Sequence, residues 1–132
     1  MRHEIRIVTE PIDETVLARE RRIGPGMGAV VDFLGVVRGS EEGAPIAAID
    51  YTAFREMAEA QFRKLLESAA ARWPLESVRV VHRIGVVAVG EPSLWIEVVS
   101  PHRAEAFDAC RWIIDEMKRV VPIWKRPVPV TP

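Results

Sequence analysis

The chain has 132 residues, 48% of them hydrophobic and 28% charged, with a formal net charge of −1. That balance describes one globular domain around one core. It excludes a disordered segment, and it excludes a chain drawn to nucleic acid or to an anionic membrane by overall charge. Any anion binding must come from a local cluster of cations.

The single cysteine, Cys110, permits no internal disulfide, so a reducing, cytoplasmic setting is expected. Cys110 itself reads as a small apolar residue on a helix face. No apolar run approaches the roughly 20 residues that cross a bilayer, and the alternating start is unlike a secretion signal. His3, His82 and His102 are dispersed, no cysteine pair has ligand spacing, and no glycine-rich phosphate loop is present. No metal and no cofactor are therefore expected.

Residues 3–9 alternate, with Ile5 and Ile7 on one face, as a strand does. Pro11 closes it, and Asp13 caps a short helix through Glu20, with Val16, Leu17 and the stem of Arg21 inward. Gly24-Pro25-Gly26-Met27-Gly28 is a turn. Residues 29–37 are β-rich and almost continuously apolar, the pattern of a central strand covered on both faces. Arg38 to Pro45 reads as a mobile loop, and Ile46 to Phe54 returns as a partner strand.

Residues 55–73 are helical, with Phe54, Met57, Ala58, Phe62, Leu65, Leu66, Ala69 and Trp73 at three- and four-residue intervals, until Pro74 stops the helix. Ser77 to Ile84 alternates as a strand that Gly85 ends, and Leu94 to Val99 is another. Ser100 at N-cap and Pro101 at N1 open a second long helix, which runs to about Val120 on a stripe of Ala106, Phe107, Cys110, Ile113, Ile114 and Met117. Pro122 ends it, and the tail from Trp124 is extended. The order predicts a single domain over residues 1–132 of α+β class: a mixed or antiparallel sheet with two long amphipathic helices packed on it.

Four places carry candidate chemistry. Arg38 lies where a buried strand opens into a loop, a frequent position for functional residues; taken alone it is more often a solvated strand end. His102 and Arg103 stand at the start of a helix, where free backbone N–H groups favour anions. Cations there oppose the helix dipole, and such a local conflict marks function, unless His102 is neutral and simply packs. Lys118 suits a helix C-terminus on stability grounds alone, and Lys125 sits beside Trp124 in a proline-flanked tail.

Together these segments resemble the large-subunit family of molybdopterin synthase (MoaE) from Gly28 almost to the end. The resemblance is carried by residues 28–38, Glu42-Gly43, Tyr51, Met57-Ala58-Glu59, His82-Arg83-Ile84-Gly85 and Val89-Gly90-Glu91. Its most specific blocks are Ser100-Pro101-His102-Arg103, Glu105-Ala106-Phe107, and Lys118 with Val121-Pro122-Ile123-Trp124-Lys125. It implies an α/β-hammerhead-like fold and a sulfurtransferase. A small ubiquitin-like carrier would deliver sulfur as a thiocarboxylate on its C-terminal glycine. The acceptor would be cyclic pyranopterin monophosphate, converted to the molybdopterin dithiolene. A homodimer of large subunits would form the centre of a heterotetramer.

On that resemblance Arg38, His102, Arg103, Lys118 and Lys125 form the basic pocket. Lys118 and Lys125 are the catalytic candidates, and Val36, Val37, Arg126 and Pro127 are further substrate-binding positions. The chain departs from the family pattern at Val36, Gly39 and Pro127, the last standing where an acidic residue is usual. Pro127 and the short C-terminus favour the competing reading of a scaffold that binds a ubiquitin-like tail without catalysis. A weaker alternative is a small-anion sensor at His102.

Overall fold

The computed structural model describes residues 1–131. The elements run β1 (Arg2–Val8), α1 (Glu14–Arg19), β2 (Ala29–Val36), β3 (Ser40–Glu41), β4 (Ala44–Ala53), α2 (Arg55–Arg72), β5 (Ser77–Arg83), β6 (Gly85–Ala88), β7 (Pro92–Ser100), α3 (Arg103–Val120) and β8 (Ile123–Pro129).

The first sheet has the order β1-β5-β7-β2, with β1 parallel to β5 and the other two pairings antiparallel. It is the mixed sheet that the sequence predicts. Period-two alternation decides what each face holds. Val78, Val80, Ile96 and Val98 point toward α2 and α3, where they meet Phe62 and Leu66 of α2 and Ala106 and Ile113 of α3. Val81 and Trp95 point the other way and pack under Ile12 and Leu17, at the start and inside of α1. Asp13 caps α1 as expected, accepting from the N–H groups of Thr15 and Val16.

On the α1 side the alternation also buries charge. Glu97 of β7 is 1% exposed and lies opposite Arg79 of β5. It accepts from Arg79 Nε at 2.9 Å and Nη2 at 2.8 Å, and from Arg21 Nε at 2.6 Å. Arg79 Nη2 also donates to the Leu17 carbonyl at 2.7 Å, and Arg21 reaches Asp32. Burial would push the Glu97 carboxyl up, but the two guanidiniums outweigh it and hold the group below the usual carboxylate range. The network fastens α1 and the segment after it to the sheet.

Six features differ from the sequence reading. The single sheet is two: β4 pairs with β6 and β8 in a second sheet, joined by the two-residue β3. The chain changes sheets at Gly85, whose φ of +92° is open to glycine and strained for other residues. The loop after Arg38 is therefore a β3–β4 hairpin, and β6 is a strand that the Gly85 stop signal concealed. Strand β2 is an edge of the first sheet and not its centre.

The long helix α3 begins two residues late. Ser100 completes β7, and His102 is the N-cap, its N–H donating to Glu105 Oε2 at 3.0 Å. That acidic residue at N3 offsets the cations at the helix start. Finally Val16, Phe54, Met57 and Phe107, read as inward, are 45–63% exposed.

Replacing Glu97 with alanine leaves Arg79 buried without its carboxylate and frees Arg21. Urea denaturation should show a loss of roughly 3–5 kcal/mol, the range for breaking a buried ion pair. A loss under about 1 kcal/mol would mean that the network contributes no more than a surface pair.

Candidate active site

A cavity of about 740 Å³ opens where the two sheets meet the C-terminal end of α3. Seven elements line it, and four of them supply most of the wall. The end of β2 contributes Gly35, Val36, Val37 and then Arg38, just past a register shift between Gly35 and Val36. The last two turns of α3 contribute Ile114, Met117 and Lys118. Strand β8 contributes Ile123 and Lys125, and β4 contributes Ile49 and Tyr51. Alternation along β8 turns Lys125 inward and Arg126 outward.

Its charged lining residues are Arg38, Lys118, Lys125 and Glu41, three cations against one carboxylate. Lys125 Nζ donates to Glu41 Oε1 at 2.7 Å. The Lys125 ammonium, with Arg38 beyond it, holds the Glu41 carboxyl below the usual carboxylate range. Among the described residues Arg38 and Lys118 have no carboxylate partner. A surplus of positive charge facing a part-apolar wall suits a ligand with a flat ring and an anionic group.

The floor is polar but uncharged. Tyr51 lies opposite Lys125 in the β4–β8 pairing, and its hydroxyl donates to Ser93 Oγ at 3.3 Å. Its ring meets His82 edge-on at 5.2 Å. Burial lowers the His82 pKa. Nδ1 lies 2.8 Å from the Arg83 carbonyl, which can only accept, so Nδ1 carries the proton and Nε2 is the acceptor nitrogen.

Of the residues singled out in the sequence, Val36, Val37, Arg38, Lys118 and Lys125 come together here. Arg126 and Pro127 do not line the cavity. Arg126 pairs with Asp50 at 3.1 Å with its side chain 80% exposed, and Pro127 sits opposite Ile49 in the sheet. His102 and Arg103 lie at the other end of α3 from Lys118, a rise of about 22 Å for fifteen residues. Tyr51, His82, Ser93 and Glu41 were not assigned to the site from the sequence. Tyr51 and His82 lay inside segments that carried the family resemblance; Glu41 lay in a stretch read as loop.

Cys110 is in the core, and burial pushes its thiol up to about 11. It is unsuited to carry sulfur as a thiolate. Among the described residues no His, Cys, Asp and Glu group has the arrangement of a metal site, and no helix is long and apolar enough to cross a membrane.

Residues 7–120 match the family model described as MoaE protein. The chain belongs to the MoaE family. A molybdopterin synthase catalytic subunit from Thermoplasma volcanium is 44% identical over 118 residues, covering 89% of this chain and 83% of that one. Another from Staphylococcus carnosus is 38% identical over 125 residues, covering 95% and 83%. The crystal structure of molybdopterin synthase from Staphylococcus aureus superposes with a TM-score of 0.87 at 35% identity, over 96% of this chain and 92% of that one. Family membership and the α+β architecture thus agree with what the sequence blocks implied, and the curated relatives are enzymes.

The buried His82 gives a pH signature. Burial makes the folded chain take up the ring proton at lower pH than the unfolded chain, which takes it up below about 6.5. Stability should therefore fall as pH drops from 7 toward 5, and the fall should be shallower in His82→Gln. Urea midpoints at the two pH values measure it. Parallel pH dependences in the two proteins would show that His82 takes up its proton equally in the folded and unfolded chain.

Proposed function

We propose that this chain is the catalytic subunit of a molybdopterin synthase. It takes sulfur from the thiocarboxylated C-terminus of a small ubiquitin-like carrier and places it on cyclic pyranopterin monophosphate to form the dithiolene, in the cytoplasm. The observation that carries this reading is the convergence of Arg38, Lys118 and Lys125, from three separate elements, on one cavity. Both reactants are anionic, and bringing them together in a partly enclosed site needs such a surplus of cations. The buried Cys110 agrees with sulfur arriving on a carrier and not on a protein thiol.

Arg38 is suited to the substrate phosphate through its planar fork of donors. Lys118, without a carboxylate partner, is suited to donate a proton or to stabilise charge that develops as sulfur attacks; Lys125 supplies the second ammonium.

His102 and Arg103 enter through a second copy of the chain. Strand β2 is almost wholly apolar, yet it pairs only with β7 and lies at the edge of its sheet. Phe107, on the outer side of the adjacent α3, is 60% exposed. An edge of this kind is a template for another strand. Two-fold pairing of β2 with its copy is antiparallel, which sets the start of one strand beside the end of the other. Ala29, at the start, is opposite Ser100, two residues before His102; Arg38 follows the end. The two-fold arrangement therefore brings His102 and Arg103 of one copy toward Arg38 and Lys118 of the other, and five cations serve one site.

The test is reconstitution with thiocarboxylated carrier and pterin precursor. Lys118→Ala should lose on the order of a hundredfold or more in rate. Lys118→Ala and His102→Ala proteins, each inactive alone, should recover roughly a quarter of the wild-type rate when their subunits are exchanged, the statistical share of intact sites. Carrier binding without any sulfur transfer by the wild-type chain would instead favour the scaffold reading, and absent recovery on exchange would place His102 outside a shared site.

A further inference from the structure

An acid inside a cavity for anions works against binding, and Glu41 is such an acid. Its side chain is 18% exposed, lines the cavity, and bonds the Lys125 ammonium at 2.7 Å. A catalytic ammonium thus begins with a carboxylate already on it, in the position that a carboxylate-like reactant would need. A residue kept there against local electrostatic logic calls for a role.

The segment that carries Glu41 is built to move. It is one of two residues in β3, paired to β4 only through Ser40 opposite Pro45 and Glu41 opposite Ala44, with one further bond from the Ile46 N–H to the Gly39 carbonyl. The turn between the strands is the two residues Glu42 and Gly43, at φ of 51° and 81°. Residues 42–45 are exposed, so little apolar burial resists displacement of the hairpin. The partner ammonium is itself 54% exposed, and ion pairs of that kind hold weakly. An incoming anion meets more than Glu41 does: Lys125 together with Lys118, which makes no carboxylate bond among the described residues.

We propose that the Glu41 carboxylate is an internal competitor that occupies Lys125 in the free enzyme and yields it to the anionic end of a reactant. This rests on the proposed sulfur transfer. The shared chemistry is a carboxylate-like or phosphate oxyanion, supplied either by the carrier's terminal thiocarboxylate or by the pterin's phosphate. Glu41 keeps Lys118, Lys125 and Arg38 from facing one another uncompensated while the cavity is empty, and it sets the concentration at which a reactant takes over.

Steady-state kinetics with the complete two-subunit enzyme, varying carrier and pterin separately, test this. Glu41→Gln keeps the size and a hydrogen-bond acceptor but removes the charge. It should lower the KM for at least one reactant by about two- to fivefold, the range over which a half-exposed ion pair can hold back a competitor. The reactant whose KM falls is the one that displaces Glu41. Glu42→Gln removes the same charge from the neighbouring turn position and should leave both KM values as they are. Unchanged or raised KM values in Glu41→Gln, a loss confined to kcat, or an equal fall in Glu42→Gln would each overturn the proposal. Calorimetry with inorganic phosphate gives an independent reading when no product forms. Glu41→Gln should bind phosphate more tightly than the wild-type chain, and equal affinities would refute the competition whatever the fate of the sulfur-transfer reading.

Discussion

Like charges must be held together against their own repulsion, and the rest of this structure serves that constraint. Two cations several ångströms apart in a partly desolvated site repel by roughly 2–4 kcal/mol per pair. Arg38, Lys118 and Lys125 cannot gather unless the elements that carry them are fixed by packing of comparable strength. Each has such an anchor. Arg38 follows a strand laddered along β7, Lys118 rides a helix whose Ile113 and Met117 are in the core, and Lys125 is held by β8 pairing along β4. On the opposite face of the first sheet the Glu97 network ties α1 down.

The second consequence is that one copy of the chain leaves work undone. An apolar edge strand and a histidine–arginine pair stranded at the far end of α3 are separate oddities in a monomer. The two-fold pairing through β2 proposed above would resolve both, by covering the edge and carrying the pair to the other copy's cavity. In that proposal catalysis and association are one property of the same strand, and sulfur transfer between two anions would gain a ring of cations that no single chain assembles.

Much of this was legible in residue patterns. Helical spacing located α2 and α3, Asp13 announced the α1 cap, period-two alternation marked β1 and β5, and β-rich apolar runs marked β2 and β7. The second sheet was hidden because its pieces, β3 and β6, are two and four residues long, and because Gly85 reads locally as a stop although it serves as a bend between sheets. The start of α3 was misplaced since Ser100-Pro101 has the residues of a helix start, whereas the ladder to Ala29 keeps Ser100 in β7. The apolar run of β2 was read correctly as a strand but wrongly as a central one, because its apolar character does not reveal that it pairs on one side only. Lys118 and Lys125 were each unremarkable alone and became a site only through family-wide blocks, and Glu41 was invisible because its partner is 84 positions away.

The most direct measurement is a crystal structure of the chain grown or soaked with sulfate, read for where the anion sits and who holds it. An anion gripped by Arg38 and Lys118 of one copy, with His102 or Arg103 of a two-fold mate reaching the same cavity, is the expected result. Sulfate bound only outside that cavity, or copies in which the His102 end of α3 stays a full helix length from every Lys118, would contradict a shared cationic site.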